Sequence, residues 1–439
     1  MKPFIVVQGP VATRSGYGNH TRDLVTSLIR ANKYDIQIIS LPWGSTPSDA
    51  LQHDTPDHVE IMKRIATQQI NRKPDVFIQV SVPNEFQPAG KYNIGVTAGI
   101  ETTQVSAEFI QGANKMDLVI TTSEHSKEGF IKSTYDKIDD KTKQKIDELS
   151  LQKPIEVLFE GIDTNVYKRV NNIHASVKEQ LSEVKEKFAF LFVGHWLKGA
   201  IGEDRKDIGM LIKTFAETYK NKARHNRPAL ILKTSGATFS IIDREEITHK
   251  IQQILVGYGH KAPNVYLLHG DLTDEEMNSL YNHPKIKAMV SFTKGEGFGR
   301  PLLEFTATGK PVIAPAWSGQ LDFLKNHSIL LPGDLKEIHA SASDKFLLKG
   351  SKWFTVNYQY ASAALKDITE NYKNYLPRAV EQMKYTNSMF TLEKMAEKFV
   401  ELVDKGLSGV PQEMSLKLPK LKKAEAPALK LPKLKKVEA

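Results

Sequence analysis

The stretch Lys294–Leu324, KGEGFGRPLLEFTATGKPVIAPAWSGQLDFL, decides how the rest of the chain is read. It follows the apolar run IKAMVSF, which begins at Ile286, and it places Glu296 and Glu304 on either side of GFGRPLL. IKAMVSF predicts a strand, whereas PLLEFTATG is compatible with a helix. Pro301 suits the first helical turn, where its missing N–H has no intrahelical partner to lose. A glycine loop between a strand and a helix start turns backbone N–H groups and the positive end of a helix dipole toward an anion. In an open parallel sheet the carboxyl end of a strand is also where ligands bind. Two carboxylates around such a loop read as an acid and base pair or as a clamp for a sugar and a ribose.

Working outward, the same rhythm of short apolar runs and helical stretches fills most of the chain. In the first 160 residues the strand candidates are FIVV (Phe4), DIQIIS (Asp35), DVFIQV (Asp75), YNIGVT (Tyr92), DLVITT (Asp117) and IEVLFE (Ile155). After a polar connector from Val170, VNNIHASVKEQLSEVKEKF, read as helical, the rhythm restarts with FAFLFVG (Phe188), ALILKT (Ala229), NVYLLHG (Asn264), IKAMVSF, PVIAP (Pro311) and SILLPG (Ser328). Nearly continuous apolar strands separated by helices imply parallel sheets covered on both faces. Thr273 followed by Glu276 forms a capping box that predicts a helix start in TDEEMNSLYNH. From Tyr358 to Gly406 the pattern is helical, with an interruption expected at Pro377. The expected division is an amino-terminal α/β domain over residues 1–170, a second over 171–357, helices over 358–410 that pack back across both, and a tail over 411–439.

The flanks of the opening stretch carry a family resemblance. EGFGRPLLE followed by TGKPVIAPAWSGQLDFL closely resembles the Glu, seven residues, Glu motif of retaining glycosyltransferases of family 4. The likeness runs from Phe188 to Leu324, and GIETT, TTSEHSKEGF and EVLFEGIDTNVY look like the acceptor-side loops and interdomain strand of that family. The resemblance implies the GT-B architecture, in which two Rossmann-like doubly wound domains face a cleft, with a carboxyl-terminal crossing helix. It further implies that Glu304 accepts hydrogen bonds from the ribose of a UDP- or GDP-sugar, an ionised carboxylate being an acceptor only. Glu296 then lies by the donor sugar, and the amides of Gly297, Phe298 and Gly299 face sugar or phosphate. Arg205 and Lys206 would stabilise the departing diphosphate without a metal. Here the chain departs from the pattern: GHW stands where an arginine usually follows the first strand, and an extra LKGAIGED precedes the basic pair. In GPVATRSGYGNHTRDL, Gly16 and Gly18 belong to a loop expected to arch over the diphosphate, since positions 9–14 fail the dinucleotide-binding fingerprint. Glu101, in a WET-like element, is the candidate to orient or deprotonate the acceptor hydroxyl. His125 is a weaker candidate for the same task, lone histidines in such loops being more often surface or capping residues.

Composition narrows the remaining choices. The 439 residues contain no cysteine, which excludes disulfides, thiolate metal sites and cysteine nucleophiles. No zinc-ligand spacing and no Asp-x-Asp element occurs in a setting that marks a metal-dependent fold, so no metal and no further cofactor is expected. No apolar run approaches the roughly 20 residues needed to span a bilayer, and the amino terminus lacks a secretory apolar region. A cytoplasmic location is expected. Of the formal charge of +9, the segment Ser415–Ala439 carries +6, with LKLPKLKKAEA repeated as LKLPKLKKVEA. Prolines within each repeat forbid one continuous helix, so disorder is expected, with contact to nucleic acid or an anionic membrane surface as alternatives to a solubilising appendage. The acceptor stays open between hydroxymethylated pyrimidines in DNA, as in phage-encoded DNA sugar transferases, and envelope glycan or lipid. A reading from another class, a non-enzymatic nucleic-acid-binding protein, predicts no nucleotide diphosphate binding.

Overall fold

A computed structural model describes residues 2–410 except 140, 237–238 and 325–326. The tail repeats, and the disorder expected for them, lie outside the described residues. Eight strands belong to the first half: β1 (Phe4–Gly9), β2 (Asp35–Ser40), β3 (Val76–Val80), β4 (Tyr92–Thr97), β5 (Leu118–Thr121), β6 (Tyr135–Ile138), β7 (Lys145–Leu149) and β8 (Ile155–Val157). Six of them form a parallel sheet in the order β2-β1-β3-β4-β5-β8. The second half contributes β9 (Ala189–Val193), β10 (Ala229–Lys233), β11 (Val265–Leu268), β12 (Ile286–Val290), β13 (Val312–Pro315) and β14 (Ile329–Leu331). These form a second parallel sheet in the order β11-β10-β9-β12-β13-β14. All twelve expected strands are present, and the chain has two Rossmann-like halves in the GT-B arrangement.

Burial explains the apolar runs. Ile5, Val7, Ile78, Ile94 and Ile120 are fully enclosed in the first core, as are Phe190, Leu230 and Leu232 in the second. The helix Leu392–Ser408 then returns to the first half. Its Leu392, Met395, Phe399 and Val403 recur at helical spacing and are buried beside Leu24, Val25 and Leu28. Each such side chain contributes roughly 2 kcal/mol of apolar burial, which ties the chain's last described helix to its first.

Three expectations need correction. The connector from Val170 is helical only over Ala175–Gln180. Val177, Leu181 and Val184 do keep helical spacing and are buried, but the chain turns at Leu181 to deliver them into the second core. Pro377 does not interrupt its helix, Tyr372–Met389. The breaks fall at Asn371, whose amide bonds to the Asp367 carbonyl, and at Thr391, whose hydroxyl caps Lys394 N–H. Finally, two antiparallel hairpins were not foreseen: β6 with β7, and β15 (Gly333–Glu337) with β16 (Lys352–Val356). The capping box at Thr273 and Glu276 is present with both reciprocal bonds.

Candidate active site

In the second sheet the strand order reverses between β9 and β12, the place where open α/β sheets leave a crevice for ligands. The loops that follow these two strands carry the basic pair and the glycine stretch. After β9 the extra residues Leu197–Asp204 fold as a turn before the helix Ile208–Tyr219, and Asp207 precedes that helix with φ 53°. After β12, Lys294 ties the two loops together. Its N–H donates to the Arg205 carbonyl at 2.7 Å, and its carbonyl accepts from Phe354 N–H on β16 at 2.9 Å. Its ammonium, almost wholly enclosed, donates to Thr355 Oγ1 at 3.0 Å and lies 3.4 Å from Asp207 Oδ2. The same Asp207 oxygen accepts from Tyr358 OH at 2.6 Å, and the other has no partner among the described residues. Burial raises the Asp207 carboxyl to about 7, against the pull of Lys294.

This scaffold brings Arg205 and Lys206 onto Glu296. Lys206 Nζ donates to Glu296 Oε1, and Arg205 Nη1 lies 3.6 Å from Glu296 Oε2 and 3.3 Å from the Gly295 carbonyl. Burial acts to raise the Glu296 carboxyl, but Lys206 and Arg205 outweigh it and hold it below the ordinary value. An ionised Glu296 has no proton to give. Burial likewise lowers Lys206, with Glu296 opposing.

The first half closes the other side. Glu101, in the loop after β4, lies 3.2 Å from Arg205 Nη1, so the expected acceptor-side carboxylate and the basic pair do meet. The fit is tight. A Cβ on Gly295 would collide with the Glu101 carbonyl, and one on Gly297 with the Ala98 carbonyl. Glycine at these positions therefore lets the two halves approach one another. The amides of Gly297, Phe298 and Gly299 donate to no other described residue, which leaves three successive N–H groups at the helix start. The Phe298 ring itself packs inward against Phe323 and Phe390. The Thr122 hydroxyl donates to Ala98 O at 3.0 Å and contacts Gly297 O at 3.3 Å. His125 stands edge-on to Trp317 at 4.6 Å, with Nε2 enclosed and without a partner among the described residues. Burial lowers His125 to about 4, so it is a neutral packing group near neutral pH.

Glu304 sits in the helix Arg300–Thr306, with Pro301 in its first turn as expected. Its two oxygens accept from Arg300 Nε and Tyr281 OH, each at 3.0 Å. Arg300 also reaches Asp23 of the first half, at 2.5 Å. Burial raises Glu304 to about 7, with Arg300 opposing, and raises the neighbouring Glu160 to about 7 in the same way. His20, lowered by burial to about 3, adds no positive charge. One guanidinium thus serves three enclosed carboxyls. Sequence reasoning missed Asp23, Arg300, Lys294 and Asp207, although Arg300 and Lys294 stand within the opening stretch. The expectation for Gly16 and Gly18 also changes. They lie in the first turn of the helix Gly16–Ala31, whose cap is Ser15, and not in an arching loop. Gly18 is needed because a side chain there would strike the Thr13 carbonyl.

No protein-family model matches the sequence, and no curated protein matches it. Solved structures do. HepE from Anabaena in complex with UDP and glucose is 13% identical, with 92% of this chain and 100% of that chain covered at a TM-score of 0.57. Sucrose-phosphate synthase from Thermosynechococcus elongatus is 14% identical, with 93% and 100% covered at 0.61. A glycosyltransferase from Rickettsia africae is 14% identical, with 93% and 99% covered at 0.58. At these identities the likeness establishes a shared two-domain fold over nearly the whole chain. Among the described residues no cluster of three or more His, Asp or Glu has metal-binding geometry, and no helix is long and apolar enough to cross a membrane.

Proposed function

We propose that the chain is a retaining glycosyltransferase that uses a nucleotide-sugar donor, UDP-glucose-like in class. The observation that carries the reading is the convergence of Arg205, Lys206 and three unpartnered amides, Gly297 to Gly299, at the switch point of the second sheet. That arrangement suits a diphosphate, and two cations preorganised by Lys294 and Asp207 stabilise charge as it develops. Glu304 is the ribose anchor; Arg300 and Tyr281 occupy its oxygens and give way in part to ribose hydroxyls. The UDP bound by HepE supports this assignment.

In the proposed reaction the bond between the anomeric carbon and the diphosphate oxygen breaks, and the acceptor oxygen bonds to the same face of that carbon. The acceptor proton passes to the departing phosphate oxygen. Glu296, held ionised, orients sugar hydroxyls, and Glu101 orients the acceptor hydroxyl. Closure of the two halves at Gly295 and Gly297 keeps water from the donor. The test is the melting midpoint with UDP and GDP, followed by NMR of the product anomer. UDP should raise the midpoint of the wild type, and Glu304→Ala should abolish that rise. Lys206→Ala should lower turnover at least about a hundredfold. Unchanged donor turnover in both variants would falsify the assignment.

A further inference from the structure

The side of the cleft that belongs to the first half carries a feature that the donor reading does not use. Tyr17, in the first turn of the helix Gly16–Ala31, stacks on Trp43, with ring centroids 4.2 Å apart and planes inclined by 26°. Both rings are partly exposed. Tyr17 opens the helix that follows β1, and Trp43 sits on the loop that leaves the carboxyl end of the adjacent strand β2. Three backbone hydrogen bonds lace the segments after these two strands together: Leu41 N–H to Gly9 O, Ala50 N–H to Ala12 O and Arg14 N–H to Pro47 O. The pair is therefore a built platform. It is also wired to the site. Tyr17 OH bonds to Thr97 Oγ1 at 3.0 Å and accepts from Ala98 N–H at 3.1 Å, and the Ala98 carbonyl is the group that faces Gly297.

We infer that the Tyr17 and Trp43 platform is the acceptor subsite and that it binds a neutral saccharide ring, an inference that rests on the donor reading above. Charge decides the ligand class. Residues 41–60 include Asp49, Asp54, Asp57 and Glu60 and contain no lysine or arginine. Arg14, on the loop after β1, is matched by Asp49 at 2.7 Å and by Asp271 of the second half. A polyanion such as DNA needs cations along its phosphates, and residues 41–60 supply none. A pyranose needs none. Its C–H face meets the electron-rich face of an aromatic ring, while its hydroxyls stay in water or reach polar edges. The basic pair assigned to the diphosphate, Arg205 and Lys206, stands on the opposite wall, and Arg22 on this one is engaged by the Val11 and Thr13 carbonyls, which leaves this wall to the uncharged partner with Glu101 beside it.

The test titrates maltose, cellobiose and lactose against the UDP-loaded protein by saturation-transfer NMR. A short duplex containing 5-hydroxymethylcytosine is the parallel arm. At least one disaccharide should bind, with an affinity that changes little between low and high salt. Trp43→Ala should weaken it about tenfold and Trp43→Phe much less, the loss of one stacked ring face. The UDP-induced rise in melting midpoint should persist in both variants, which shows that they fold. If UDP stabilises the wild type but no disaccharide binds, or Trp43→Ala binds equally well, the platform assignment is overturned and the donor reading stands. Salt-sensitive binding of the duplex that depends on Trp43 overturns it in favour of a polyanion. If UDP leaves the wild-type midpoint unmoved, the donor reading and the subsite that rests on it fall together.

Discussion

Replacing Lys294 by methionine tests whether the enclosed ion pair is what holds the basic pair in place. Methionine keeps most of the aliphatic stem and removes the ammonium. That deletes the 3.0 Å bond to Thr355 and leaves Asp207, fully buried, with Tyr358 as its one partner among the described residues. The lost hydrogen bond costs about 1 kcal/mol at any pH. The carboxyl adds a part that depends on pH. In the wild type its folded value, about 7, lies above the ordinary 3.8, so the stability it carries is complete below the ordinary carboxylate range and is lost as pH rises through 7. Lys294 is the main group opposing that rise, so in the variant the carboxyl stays protonated to higher pH. Above pH 7 the folded variant keeps a proton that its unfolded chain has released. Its deficit against the wild type therefore grows by about 1.4 kcal/mol per pH unit. The total is about 1 kcal/mol at pH 6 and roughly 4 at pH 9, in the range for removing one partner of a buried pair. Urea unfolding followed by tryptophan fluorescence reads this, because Trp196, Trp317 and Trp353 all lie in the second half. Adding Asp207→Asn should erase the pH dependence. An equal deficit at pH 6 and pH 9 in the single variant would refute the reasoning.

Other expectations use different contacts. Asp23→Asn removes the charge that the first half offers Arg300; a loss of about 3 kcal/mol in unfolding free energy is expected, and no loss would mean that the pair does not join the halves. Gly297→Ala places a methyl against the Ala98 carbonyl, so turnover should fall at least about tenfold while UDP affinity changes less, measured by calorimetry beside steady-state rates. Glu160, raised to about 7 by burial, favours the folded state in its protonated form, so Glu160→Gln should gain in unfolding free energy on the wild type as pH climbs from about 4 through 7; a gap that stays constant would deny it. Glu101→Gln frees Arg205 of one of its two carboxylates, so UDP should bind as well or better while turnover drops, and a proportional fall in both would deny Glu101 an acceptor-side role.

The strands were legible because parallel strands buried on both faces leave little room for polar residues, and the twelve apolar runs show this directly. The glycine stretch was legible for a related reason: few loops tolerate EGFG before a proline-started helix. The hairpins escaped notice because β6 and β7, YDKI and KIDEL, are exposed and mostly polar, with no alternation to mark an inward face. Pro377 misled because it costs a helix one hydrogen bond, and the capping residues at Asn371 and Thr391 outweigh that in deciding where helices end. Asp23 could not be paired with Arg300 from the sequence. They are 277 positions apart, and only the closure of one half on the other brings them together. Lys294 was hidden differently. A lysine beside a glycine loop reads as a ligand contact, whereas this one is turned inward to Asp207.

The two glutamates of EGFGRPLLE stand in opposite electrostatic settings, and the contrast bears on the chemistry. Glu296 shares two cations and is kept ionised; Glu304 shares one guanidinium with Asp23 and Glu160 and is pushed up to about 7. Such a split often separates a base from an acid. Here the geometry argues otherwise. Glu304 is enclosed within its helix and spends its oxygens on Arg300 and Tyr281, whereas Arg205 and Lys206 gather around Glu296, with Glu101 against Arg205. An acid would have to reach the departing oxygen, and the groups gathered around Glu296 are cations better suited to hold a charge than to move a proton. The higher value of Glu304 therefore follows from burial, with Asp274 adding to it against Arg300, and not from a place beside the basic pair.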